Sequence, residues 1–235
     1  MAAPYDQLAL ADDLWMAAHD KPNGGSLLQP KPLGIGLAAA LLCELVLNNW
    51  IVEVDEAGMM HLHPEAERYG LPEDVAASGV LSQLMQEAAT LRSRNHRHSA
   101  STGLGVDDWI QHLQAEDACR LVEQRLAGGS HVRQETRGGM FRASRTVFVP
   151  ESSSTSGWPA TRVKRLIEDG GEVTETDLTL AGLIIAIGLD REAFEGMGRR
   201  AREYLVRQTQ ARMRRQLREL ILRAETAVGR IVMTR

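Results

Sequence analysis

The chain is poor in the residues that usually announce chemistry. Cysteine occurs twice in 235 residues, at Cys43 and Cys119, without metal-ligand spacing. That excludes a disulfide framework and a zinc cluster, and it fits a reduced compartment. Aromatic residues are only 4% of the total, and the pI is near 6.0. Both argue against DNA binding, although the last stretch is rich in arginine. Lysine is scarcer still, 3 against 24 arginines, the usage of a GC-rich bacterial genome. No apolar run reaches the roughly 18–20 residues that span a bilayer. The best candidate, LGIGLAAALLCELVL at 33–47, carries Glu44 and reads as a buried core helix. The start, MAAPYDQLALADD, has no basic segment ahead of an apolar one, so no secretory signal is expected. The expectation is a cytoplasmic protein.

Catalytic and metal signatures are missing too. Asp12 and Asp13 are adjacent carboxylates, but neighbours on a helix point about 100° apart and cannot share one site. They read as a solvated helix edge. His61 and His63 share a strand face without a third ligand, and His96 and His98 sit among Arg94 and Arg97, whose charge opposes a cation. No serine lies in a GxSxG elbow, and Gly34 and Gly36 form no nucleotide fingerprint. No catalytic residue, no metal and no cofactor are expected.

What is present is a segregated charge. Residues 1–91 hold 13 acids and 3 bases, whereas residues 199–235 hold 11 arginines and 3 glutamates. Residues 92–165 lean basic, with 12 bases and 7 acids. Such a chain either offers a basic face to phosphates or folds its ends together.

Periodicity predicts helices over 5–19, 33–48, 73–92 (one, or two broken near Gly79), 106–127, 159–168, 175–187, 191–198 and 199–224. On the last, Leu205, Met213, Leu217, Leu220 and Ile221 form an apolar stripe. WIVEVDEAGMMHLH at 50–63 reads as a hairpin turning at Asp55–Gly58. The segment at about 93–105 is polar and flexible in composition, and 151–157 reads as a linker. The fold class expected is mostly α: a compact single-domain helical bundle, 1–235, with two β-hairpins, the second projecting.

That second hairpin, HVRQETRGGMFRASRTVFV at 131–149, holds four arginines against one glutamate. Gly138–Gly139 suits a two-residue turn. Arg137 then pairs with Met140, Glu135 with Arg142 and Arg133 with Ser144. Arg133, Arg137 and Arg142 line one face around Glu135, and a half-apolar face lies opposite. Met140 and Phe141 make an apolar tip. An isolated ribbon is marginal in water, so this one is expected to lean on a second subunit, a membrane surface, or both.

The order of these segments resembles a known family. LALADDLWMAAHD, a loop and GLAAALLCELVLNNWIV are similar to the opening of the Golgi phosphoprotein 3 family. There a leading helix precedes a core helix with an E-L-x-L-x-x-x-I/L pattern, here Glu44 through Ile51. VDDWIQHL at 106–113 resembles its W-I segment, and RLVEQRLAGG at 120–129 the helix end before its hairpin. The resemblance covers nearly the whole chain. It implies a mostly helical fold bound peripherally to membranes, with phosphatidylinositol 4-phosphate as the headgroup of eukaryotic members and the hairpin serving self-association. The family's headgroup tryptophan falls near Leu28, its core-helix arginine at Ala38, and its two later basic residues at Arg120 and Glu123, with Arg125 nearby.

These readings converge on a non-catalytic cytoplasmic protein, associated with the inner face of the membrane and binding an anionic phospholipid or phosphoinositide headgroup. Arg120, Arg125 and Leu28 form the candidate headgroup site; alternatively, the two arginines cap carbonyls or pair with the acidic N-terminal region. Arg133, Arg137, Met140, Phe141 and Arg142 form the candidate membrane or homo-oligomer ribbon. No nucleic acid is expected. The competing expectation is a soluble adaptor that binds a protein through its hairpin and C-terminal helix.

Overall fold

A helix apolar on every side must be surrounded on every side, and one such helix organises this molecule. The computed structural model describes residues 8–19, 25–94, 104–115, 118–138 and 145–233. Helix α1 (Leu10–Ala18) is buried along its whole length. Helix α2 (Pro30–Leu47) starts on two prolines whose fixed φ and missing amide suit a first helical turn. Everything from Leu33 to Val46 is buried. With its proline-bearing first turn included, α2 is long and apolar enough to cross a membrane, but 78% of it is buried inside the fold. It is a core helix, as expected.

The first hairpin forms as read. Strands β1 (Ile51–Val54) and β2 (Met59–Leu62) pair antiparallel around Gly58, whose φ of 78° only glycine takes easily. A short helix α3 (Ala66–Tyr69) and then α4 (Val75–Arg94) follow. Helix α4 runs unbroken through Gly79, the first of the two readings open for 73–92. Strand β3 (Leu104–Gly105) adds to β2 and makes a three-stranded sheet. The expected flexible loop therefore ends in structure at Leu104, and its centre, 95–103, lies outside the described residues.

Of the long helix expected over 106–127, the structure describes α5 (Val106–Ala115) and α6 (Ala118–Gly128), and residues 116–117 between them lie outside the described residues. Helix α6 leads into the second ribbon, β4 (Val132–Arg137) and β5 (Arg145–Pro150). The expected linker at 151–157 contains a helical turn, α7 (Ser153–Ser156), and runs into α8 (Trp158–Glu168). Helix α9 (Glu175–Ala186) opens with a capping box, in which Thr174 Oγ1 accepts from the Asp177 amide at 3.1 Å and Asp177 Oδ2 accepts from Thr174. A short α10 (Asp190–Ala193) precedes α11 (Arg199–Arg212) and α12 (Arg215–Met233). The long basic helix expected over 199–224 thus breaks at Met213–Arg214.

Helix α2 lies against α1, α4, α5, α6, α9 and α12. The stripe expected at the C-terminus is spent on this core: Leu205, Met213, Leu217 and Leu220 are all buried. Ile221 is partly buried beside Gly182 of α9. An adaptor surface made of that stripe is therefore not on offer.

The ribbon is rooted, not free. Val132 and Val149 are buried where β4 meets α6 and β5 meets α7. Its register also differs from expectation: Arg133 faces Val149, Glu135 faces Val147 and Arg137 faces Arg145. A tight Gly138–Gly139 turn would pair Val132 with Arg145, leaving Val147 and Val149 opposite residues of the α6 terminus. Burying the valines at the root wins instead. Arg133, Glu135 and Arg137 consequently share a face with Val147 and Val149, and the expected division into basic and apolar faces is lost. Met140, Phe141 and Arg142 lie outside the described residues.

Candidate functional site

Asp12 and Asp13 do diverge around α1, but into the interior, where each meets an arginine. Arg125 Nε donates to Asp12 Oδ1 at 2.9 Å, its Nη1 and Nη2 grip both oxygens of Glu44 at 2.9 Å, and Nη1 also reaches Asp74 at 3.0 Å. Arg162 bridges Asp13 at 2.8 Å and Asp177 at 3.0 Å. Burial pushes Asp12 up to about 7 even though Arg125 pulls it down, because Glu44 and Asp74 share the same guanidinium. Burial likewise raises Asp13 to about 6 against the pull of Arg162. Burial alone would weaken the charge on Arg125; the bonds to Glu44 and the surrounding carboxylates outweigh it and hold the guanidinium ionised. The solvated helix edge expected of these aspartates is instead the inner half of two ion-pair clusters, and their cations come from parts of the chain far away in sequence.

Arg125 therefore does not join Arg120 around a phosphate. It takes the other course open to it, pairing with the acidic N-terminal region. Arg120 is on the exposed side of α6. The structure instead brings Leu28 together with other groups in a cleft of about 440 Å³ between the α1–α2 connection, α6 and the ribbon. Lys31 and Arg137 line it, along with Glu123, Cys119 and His19. Leu28, Leu33 and Phe148 supply apolar wall. Arg137 also donates to Glu135 at 2.8 Å, and Arg133 to the same carboxylate at 3.1 Å. Ala38 is wholly buried in α2 and lines nothing open.

His19 is the residue that sequence reading passed over. It closes α1, and its ring stacks on Trp15 with centroids 3.7 Å apart. Nδ1 lies 2.8 Å from the Trp15 carbonyl. A carbonyl only accepts, so Nδ1 carries the proton and the neutral ring keeps an acceptor at Nε2. Burial pushes the pKa of His19 down to about 4, more than the Trp15 bond restores, so the ring is neutral at physiological pH. Lys31 was equally unmarked, since a lone lysine after a proline carries no motif.

Two other clefts are larger but of the wrong sign for an anion. One of about 610 Å³ beside α4 and α5 has Glu87 and Asp108 in its lining and, among the described residues, no lysine or arginine. One of about 540 Å³ contains Glu44, Glu73 and Asp74 around the already engaged Arg125. Among the described residues no group of three or more histidines, cysteines or carboxylates could hold a metal ion. His61 instead lies 3.3 Å from Asp55 in the first hairpin.

No individual curated protein matches the chain. The family model described as Golgi phosphoprotein 3 (GPP34) matches residues 10–232, from the first helix through the last. The same ordered elements carry the resemblance in the sequence, so the chain belongs to the Golgi phosphoprotein 3 family.

Proposed function

We propose that this protein is a non-catalytic peripheral membrane protein that holds an anionic phospholipid headgroup in the cleft beside Leu28, at the inner face of the membrane. The observation that carries the reading is the convergence of Lys31 and Arg137 on a cleft with an apolar wall. Cations at a mouth and hydrocarbon behind it suit a phosphate with acyl chains attached. Arg120 on α6 and Arg133 on the ribbon add exposed positive charge. The ribbon's distal end, rooted by Val132 and Val149, serves as the contact to the bilayer or to a second copy.

Vesicle sedimentation tests it. Each basic residue near an anionic surface contributes about 1 kcal/mol. Vesicles containing phosphatidylglycerol should pull the protein down at low salt, and the yield should fall as the Debye length shrinks. Neutral phosphatidylcholine vesicles should not. The double change Lys31→Ala with Arg137→Ala should weaken binding roughly thirty-fold, with the melting temperature unmoved because both side chains are exposed. Equal sedimentation with neutral and anionic vesicles would remove the reading.

A further inference from the structure

The cleft holds a group for which a phosphate has no use. His19 is only 7% exposed. Its stack on Trp15 and its bond to the Trp15 carbonyl fix the ring, so its free edge has one direction. Nε2, the acceptor, has no hydrogen-bond partner among the described residues, and the ring lines the cleft. That acceptor opens into the cleft, and a neutral imidazole edge cannot attract an anion. It calls for a donor on the ligand.

We infer that the cleft selects polyol phosphodiesters, with His19 Nε2 accepting a hydrogen bond from a headgroup hydroxyl while Lys31 and Arg137 hold the phosphate. The inference rests on the headgroup reading above and narrows it to one ligand chemistry. An ammonium donor in the same place would face Lys31 and Arg137 across the cleft. Charge sets the number of phosphates. Against Lys31, Arg137 and the neighbouring Arg133 stand Glu123 in the cleft and Glu135, which both arginines share, so the described residues leave one net positive charge, which matches one monoanionic diester and opposes a second phosphate. Glycerol or inositol esterified through a single phosphate fits; a further phosphorylated inositol does not.

The test compares phosphatidylglycerol, phosphatidylinositol, phosphatidylserine and phosphatidylinositol 4-phosphate in vesicles of matched surface charge. The wild type should prefer the first two by about five-fold, the worth of one neutral hydrogen bond. His19→Phe keeps a ring on Trp15 but removes the acceptor, and it should lose the five-fold preference over phosphatidylserine while phosphatidylinositol 4-phosphate stays disfavoured by its charge. Because that change also removes the Trp15 bond, wild-type protein provides an independent reading by nitrogen NMR of the imidazole. Adding glycerophosphoglycerol or glycerophosphoinositol should shift the Nε2 resonance of His19, and adding dimethyl phosphate should not. Such a shift without vesicle binding would overturn the membrane reading while sustaining this one, with a free polyol phosphate as ligand. Vesicle binding with equal affinity for phosphatidylglycerol and phosphatidylserine, a preference retained in His19→Phe, or an unmoved Nε2 would overturn it.

Discussion

At the scale of single residues, the buried charges determine how the protein responds to pH. Arg125 is surrounded by Asp12, Glu44 and Asp74, so removing it leaves three carboxylates facing one another. Arg125→Met should cost about 3–5 kcal/mol at neutral pH, the typical penalty for orphaning a buried ion. The loss should shrink in mild acid, where the orphaned carboxylates can take up protons; urea midpoints at two pH values would show it. Asp12 is raised from 3.8 to about 7. Its contribution is fully present below the unfolded value and disappears as pH rises through the folded one. His19 runs the other way, lowered from 6.5 to about 4, so its contribution is present above 6.5 and disappears as pH falls through 4. Asp12→Asn should therefore flatten the decline in stability on the neutral side while leaving the acid limb of His19 in place. A wild-type slope in that variant would remove Asp12 from the account.

At the scale of elements, close approach between helices depends on glycine at one position and not at another. A Cβ built on Gly36 would stand 2.8 Å and 3.1 Å from two carbons of Ile187 and 3.4 Å from Leu14. Ile187 is β-branched and almost wholly buried, so it has nowhere to go. Gly36→Ala should cost about 1–3 kcal/mol through overpacking where α2 meets the end of α9 and α1. Gly79, in the interior of α4, meets nothing within 4 Å. Gly79→Ala should stabilise by up to about 1 kcal/mol, the difference in helix propensity. Thermal melts of the two variants should move in opposite directions. The same reasoning governs the ribbon, whose register follows the burial of Val132 and Val149 at its root, not the turn chemistry of Gly138–Gly139.

At the scale of the whole molecule, the charge asymmetry is largely spent internally. Arg214 donates to Glu175, to the Val46 carbonyl and to Asn49. Arg223 bridges Asp107 and Glu219, and Gln216 reaches the Val52 carbonyl. The basic C-terminal helix is thus bound to α2, α5, α9 and β1, over the same core. Because α2 is shared by elements from both ends of the chain, calorimetry should show one unfolding transition with matching calorimetric and van't Hoff enthalpies. Two resolved transitions would mean that the halves fold separately.

The sequence by itself determined what local periodicity can encode. It fixed the apolar α2, the first hairpin, the presence and charge of the second, the mostly helical class, and an ordered set of segments sufficient to recognise the family. The helix break at Met213 escaped it, because the apolar spacing from Leu205 through Leu220 continues across it. Leu28 was found through family resemblance, whereas Lys31 and His19 carried no motif and became part of a site only when α1, α6 and the ribbon closed around them. Asp12, Asp13 and Arg125 could be counted as charges from the sequence. Whether they faced water or one another was decided by the tertiary structure, since residues 113 positions apart pair only once helices have packed.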